Sequence, residues 1–231
     1  VTARRAASWL LLALAAPLAA VTVRDLPLVE VKPEQWRGDA FVVLVTGDGG
    51  WARFDRAITS YWAGRGIGSV ALNAKKYFWN KRQPDEAGAA LRMILEHYLA
   101  AWRKGSVILV GYSRGASVLP FMATRIPAEQ LACVRLIVLL GPFDDEDFEI
   151  HLSDFLGGRH HAGALPLLPE MEKLRGKKVL CVYGDEEKES LCRILHLPNA
   201  RCVCLPGGHH FNSAYDEVAA LVLQEDPGPA R

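Results

Sequence analysis

VILVGYSRG, residues 107–115, joins four apolar, strand-favouring residues (Val107 to Val110) to the pentapeptide Gly111-Tyr112-Ser113-Arg114-Gly115. A helix-compatible run, ASVLPFMATRI, follows at once. Strand, tight turn and helix in that order form the setting of a G-x-S-x-G nucleophile elbow, where flanking glycines let neighbouring backbone pass close to a strained serine. The pentapeptide alone admits a blander reading, a glycine turn with an incidental serine. A base, an acid and oxyanion donors elsewhere in the chain decide between the two.

Outward from this stretch, strands alternate with helices. AFVVLVTGDGGW (40–51) holds a continuous apolar strand, Phe41–Val45, running into a glycine-rich turn. ARFDRAITSYWAGRG has helical spacing at Phe54, Ile58, Tyr61 and Trp62. Ser69–Leu72 is a short strand, and AGAALRMILEHYLAAWRKG is an amphipathic helix ending at Gly105. Beyond the elbow, strands are expected at Val134–Leu140, Val179–Tyr183 and Arg201–Leu205, with SAYDEVAALVLQ as a closing helix. Near the start, VTVRDLPLVEVKP offers short alternating segments suited to a sheet edge. Nearly all-apolar strands alternating with helices predict an α/β fold, a mostly parallel sheet covered on both faces, in one domain over 21–231. The segment 143–172, rich in acid, histidine, glycine and proline, falls between two strands, where a small cap could cover a site.

With 231 residues, 50% hydrophobic and 23% charged, the chain has the composition of one domain with a real core. A net charge of +1 supplies no electrostatic footprint for nucleic acid. The opening residues VTARRAASWLLLALAAPLAA (1–20) place Arg4 and Arg5 before an apolar centre and small residues, the order of a secretory signal peptide. An uncleaved anchor is the competing reading, because low polarity persists from Ala6 to Val23. Both put the folded part outside the cytoplasm, in a periplasm.

A serine hydroxyl needs a base to take its proton. His209 and His210 in LPGGHHF follow both the serine and an acidic loop, the Ser…acid…His order of α/β-hydrolases. His209 is the expected base and His210 its neighbour. For the acid, YGDEEKES offers Asp185, Glu186, Glu187 and Glu189. Analogy with such hydrolases favours Glu187, three residues after the strand-ending glycine, with Asp185 its main rival. Oxyanion donors are expected from the backbone N–H of Arg114, after the serine, and of Asp48, in the turn after the Phe41–Val45 strand. Losing one such donor typically costs about 2.7–4 kcal/mol of transition-state stabilisation. TGDGG lacks the Lys-Ser/Thr of a P-loop and the spacing of G-x-G-x-x-G, which argues against a nucleotide. Adjacent histidines such as His160-His161 or His209-His210 seldom point at one ion, and no H-E-x-x-H or C-x-x-C occurs. No metal or cofactor is therefore expected.

Five cysteines leave at least one unpaired within a monomer. A bridge from Cys192 to Cys181, Cys202 or Cys204 would tether the acid-bearing loop in an oxidising compartment. The competing reading, preferred for Cys133, Cys181 and Cys204, is that these are buried small hydrophobes.

Six stretches carry a family resemblance: TGDGGWA (46–52), KKYFWNKRQP (75–84), GYSRGASVLPF (111–121), FEIHLSDFLG (148–157), YGDEEKESLC (183–192) and LPGGHHF (205–211). Together they resemble the VirJ/AcvB family of bacterial virulence proteins. Two departures are Arg114, where the family tends to an aromatic, and Ser117, where it tends to an acid. The resemblance implies an exported α/β-hydrolase that removes lysine or alanine from aminoacylated phosphatidylglycerol, with type IV secretion components as further partners. On that basis Tyr112, Trp51, Tyr77, Trp79 and His210 are candidate substrate contacts. The segment Lys75–Arg82, cations around three consecutive aromatics, is a candidate for peripheral contact with an anionic membrane surface. The acids Asp144 to Asp147 could hold the substrate's ammonium, although a solvated loop is the preferred reading.

Overall fold

A computed structural model describes residues 21–150 and 163–226. The expected leader 1–20, residues 151–162 of the expected cap and the pair His160-His161 lie outside the described residues. In chain order the strands are β1 (Leu28–Val31), β2 (Ala40–Val45), β3 (Ser69–Leu72), β4 (Ser106–Tyr112), β5 (Val134–Leu140), β6 (Asp145–Glu146), β7 (Leu165–Pro166), β8 (Val179–Gly184) and β9 (Ala200–Leu205). The helices are α1 (Arg53–Ala63), α2 (Ala74–Tyr77), α3 (Pro84–Ala101), α4 (Arg114–Ala123), α5 (Ala128–Cys133), α6 (Leu168–Lys173) and α7 (Tyr215–Glu225).

Seven strands form one sheet in the order β1-β3-β2-β4-β5-β8-β9, parallel except where β1 pairs antiparallel with β3 at the edge. The central strands are apolar throughout because both their faces are covered. Phe41, Val43 and Val45 of β2, with Val107 and Leu109 of β4, pack beneath α3 and α4. Val42, Leu44, Ile108 and Val110 pack on the opposite side against α1 and α7. Each fully buried side chain of this size contributes roughly 1.5–3 kcal/mol of burial free energy. Trp62 of α1 donates its indole N–H to the Ala219 carbonyl of α7 at 3.0 Å, fixing that layer.

Helix α3 starts earlier and stops sooner than its apolar run suggests. Pro84 suits the first turn, and the Glu86 carboxylate accepts the Gln83 N–H at 2.7 Å. Arg103, with φ +49°, takes the chain out of the helix before Gly105. The expected α/β-hydrolase architecture is the one observed. Its strand order reverses between β2 and β4, so a crevice opens beyond the carboxyl ends of these two strands. The β6–β7 ribbon borders it through Asp145 and Glu146, and α6 follows next in the chain.

Candidate active site

Ser113 sits at the tip between β4 and α4 with φ +56° and ψ −125°, a conformation disfavoured for any residue bearing a Cβ. Its N–H donates to the Leu140 carbonyl at 2.8 Å, holding the turn against β5. The flanking glycines are dictated by close approach. A Cβ on Gly115 would lie 2.0 Å from the Val45 carbonyl oxygen, and one on Gly111 would lie 2.4 Å from the Gly115 carbonyl oxygen. The strained serine, 5% exposed, lines a cavity of about 320 Å³ at the crevice. Across it stand the Gly47–Gly50 turn, the start of α1, the cap acids, His209, His210 and Tyr215.

His209 follows β9 on a turn, and its Nδ1 lies 2.5 Å from Glu187 Oε1. With an Nδ1–H donating to the carboxylate, Nε2 is the nitrogen left with a free lone pair. That Nε2 is buried with no hydrogen-bond partner among the described residues. Ser113 and His209 thus share the cavity without a direct hydrogen bond. Such pairs are often loose before substrate binds. The His209 ring is sandwiched, stacking on Tyr112 at 5.4 Å and on Phe143 at 5.6 Å. The Glu187 carboxylate is fixed in turn by the Gly184 N–H at 2.6 Å. Asp185 points elsewhere, accepting the Gly207 N–H at 2.8 Å and bracing the loop that carries His209. Geometry therefore separates the two rival acids: Glu187 meets the imidazole, and Asp185 supports its backbone.

The two residues expected to supply oxyanion donors, Arg114 and Asp48, line the same cavity. Arg114 opens α4, and N–H groups of a first turn project from the helix end. Asp48 lies in a turn closed by Gly50 N–H to the Gly47 carbonyl at 3.0 Å. The Arg114 side chain reaches the cap. It pairs with Glu146 and Asp147 and donates to the Glu149 carbonyl at 2.8 Å. Burial pushes the Glu146 carboxyl up to about 8, with Arg114 pulling the other way. The solvated reading of Asp144 to Asp147 is thereby corrected for Glu146, which is buried, while Asp144 is exposed. Ser117, one of the two family departures, accepts the Phe143 N–H at 3.0 Å and anchors the start of the cap.

Other expected contacts fall outside the cavity. Tyr112 and His210 line it, with Tyr112 Oη 2.7 Å from His210 Nδ1, and burial raises the Tyr112 phenol so that it stays neutral. Tyr77, Trp79 and Trp51 do not line it. Tyr77 and Phe78 are buried, the former donating to the Glu86 carbonyl at 3.1 Å, so Trp79 alone of the three aromatics is exposed, at 55%. The Cys192 bridge exists and its partner is Cys181, so the small-hydrophobe reading fails for that residue. It also fails for Cys204, which is exposed on the edge strand β9, and Cys133 is only partly buried.

Three features of the site went unread in the sequence. Gly141, with φ +61°, leaves room for the Glu187–His209 pair: a Cβ there would be 2.9 Å from the His209 ring and 3.2 Å from Glu187 Oε1. Asp55 is a buried carboxylate in the cavity wall. Phe54 and Tyr215 add two rings beside it. A glycine after a buried strand was a usable hint for the first; Asp55 lay in an ordinary amphipathic pattern.

A family profile described as bacterial virulence protein (VirJ) matches residues 39–226. No protein of curated function matches the sequence. Among solved structures, the chain is similar to Est1E from Butyrivibrio proteoclasticus bound to ferulic acid, at 12% identity and TM-score 0.60, covering 87% of this chain and 95% of that one. It is similar to a predicted CIB-like hydrolase from Thermoplasma acidophilum, at 16% identity and TM-score 0.59, covering 88% and 94%. Proline iminopeptidase from Mycobacterium smegmatis matches at 14% identity and TM-score 0.58, covering 86% and 94%. Likeness at these identities speaks for the fold.

Proposed function

The chain belongs to the VirJ family of bacterial virulence proteins, and on that premise we propose that it is an exported serine hydrolase cleaving the aminoacyl ester of aminoacylated phosphatidylglycerol. The observation carrying this reading is the His209 imidazole, braced by Glu187 through Nδ1, with its unpartnered Nε2 in the cavity that Ser113 lines. That arrangement suits acyl transfer. His209 Nε2 takes the Ser113 proton as the hydroxyl oxygen attacks the ester carbonyl. The resulting oxyanion is held by the Arg114 and Asp48 N–H groups, which are worth most where charge develops. His209 then returns the proton to the departing glycerol oxygen, and a water activated by the same imidazole releases the amino acid from Ser113. Glu187 keeps the tautomer and steadies the imidazolium.

A lipid ester must be reached at a membrane. Exposed Trp79, with Lys76 and Lys81 nearby in sequence and also exposed, provides an aromatic flanked by cations for an anionic surface. Residues 1–20, read as a leader, would put this surface in a periplasm, with type IV secretion components as proposed neighbours.

The test is release of amino acid from lysyl- and alanyl-phosphatidylglycerol vesicles by the protein and by its Ser113→Ala variant. Release by the wild type alone supports the proposal. No release, or equal release by both proteins, overturns it.

A further inference from the structure

Helices α1 and α3 each carry an acid at their third residue that accepts the N–H of the residue before the helix. In α3 the acid is Glu86, and it is exposed. In α1 it is Asp55, whose Oδ2 accepts the Ala52 N–H at 2.9 Å, and it is 1% exposed. Capping requires one carboxylate oxygen and no burial. Asp55 Oδ1 has no hydrogen-bond partner among the described residues, although Asp55 forms part of the cavity wall. A buried charged oxygen without a partner is costly, so its retention calls for a ligand that matches it.

The surroundings define that ligand. Phe54 stacks on Tyr112 at 3.9 Å and meets Tyr215 edge-on at 5.2 Å, and all three rings line the cavity with Asp55. Aromatic faces beside a carboxylate attract cations, and a desolvated ammonium gains from both. Burial lifts the Asp55 carboxyl to about 6, so it is largely ionised at neutral pH. A neutral acyl group would leave that charge unmatched, and an anionic one would be repelled.

We propose that Asp55, with the rings of Phe54, Tyr112 and Tyr215, binds a primary ammonium carried on the acyl part of the ester, selecting cationic acyl groups over neutral ones of the same shape. The inference rests on the ester-hydrolase reading of Ser113 and needs no particular alcohol. An aminoacyl ester carries such an ammonium on the carbon next to the carbonyl that Ser113 would attack.

The experiment compares p-nitrophenyl esters of alanine and isobutyric acid, which differ in shape only by ammonium for methyl. The readout is the ratio of kcat/KM for the two, in wild type and in Asp55→Asn. Intrinsic ester reactivity cancels between proteins, and asparagine can still accept the Ala52 N–H. The ratio should fall at least tenfold in the variant; an unchanged ratio overturns the proposal. A second measurement covers a variant that fails to fold: Ser113→Ala protein should bind alaninamide more tightly than isobutyramide in ligand-observed NMR. Equal affinity overturns the proposal. If the ratio falls but aminoacyl-phosphatidylglycerol is left intact, the lipid reading fails while the ammonium site stands. If the lipid is hydrolysed and the ratio is unchanged, the ammonium site fails while the lipid reading stands.

Discussion

Replacing Cys181 and Cys192 together by alanine opens a ring with a sequence separation of 11 that contains Glu187. Cys181 lies in buried β8 and Cys192 in the connection to β9, so the bridge staples the acid-bearing loop to the sheet. In the chain-entropy description, closing a ring of this size stabilises the fold by about 3 kcal/mol. For a chain of this length each kcal/mol moves the melting temperature by roughly 2–4 °C, so the double variant should melt about 6–12 °C lower. Activity should respond differently. The loop is also held by Arg193, whose Nε donates to the Glu187 carbonyl at 2.6 Å and whose Nη2 donates to the Asp185 carbonyl at 2.7 Å. The Gly184 and Gly207 N–H bonds to the two acids remain as well. At 25 °C kcat should therefore fall by less than about tenfold, since each remaining bond contributes about 1 kcal/mol. Thermal unfolding monitored by circular dichroism and ester turnover on the same samples provide the assay. The double variant is cleaner than reductant because it leaves no thiols at 181 and 192 to reoxidise or to exchange with Cys133, Cys202 and Cys204. A melting shift under about 2 °C, or a hundredfold loss of kcat in a folded variant, would refute this division of labour.

Glu187→Gln should lower kcat by about 10³–10⁴ because the imidazole loses its tautomer and its countercharge, whereas Asp185→Ala should cost about 1 kcal/mol of stability and far less turnover; kcat with chemical denaturation distinguishes them. Gly141→Ala puts a methyl against the His209 ring at a positive φ and should cut kcat at least tenfold, while Gly176→Ala, with nothing within 4 Å, serves as the control expected to stay within twofold. Asp55→Asn should change the pH dependence of stability. The folded carboxyl titrates at about 6 against about 3.9 in an unfolded chain, so between these values the folded state holds the extra proton. Wild-type stability from this group is fullest below about 4 and is lost as pH rises through 6. At about 1.4 kcal/mol per pH unit, the variant should gain about 3 kcal/mol relative to wild type between pH 3 and 8. A difference that stays flat in urea titrations across that range would contradict the burial argument.

The sheet was readable because parallel strands covered on both faces become unbroken apolar runs, as in Phe41–Val45 and Val134–Leu140. Element ends were less so, since they answer to caps such as Pro84 with Glu86, which lie outside the apolar pattern. Ser113, Glu187 and His209 were legible from a local motif plus chain order. The choice between Glu187 and Asp185 became definite only through long-range partners, His209 for one and Gly207 for the other. KKYFWNKR was legible only in part for the same reason: its aromatics look equivalent in sequence, yet Tyr77 and Phe78 are drawn inward by contacts with Glu86 and Phe148 while Trp79 stays exposed.

Arg114 shows how far such non-local pairing reshapes a motif residue. As the variable position after the serine, it is defined by the elbow only through its backbone, so a side chain of any kind would fit the pattern. Here the guanidinium crosses to Glu146 and Asp147, more than thirty residues away, and is buried with them. A buried ion pair adds little net stability against an apolar replacement, but it fixes one arrangement because removing either partner strands a charge. The same residue supplies the N–H that the proposed mechanism points at the oxyanion. On the proposed mechanism, the position of the Asp145–Glu149 segment and the oxyanion site are therefore linked through one residue, whose side chain ties the first turn of α4 to that segment. An apolar residue at this position would leave the backbone N–H in place but lose the directional tether to Glu146 and Asp147.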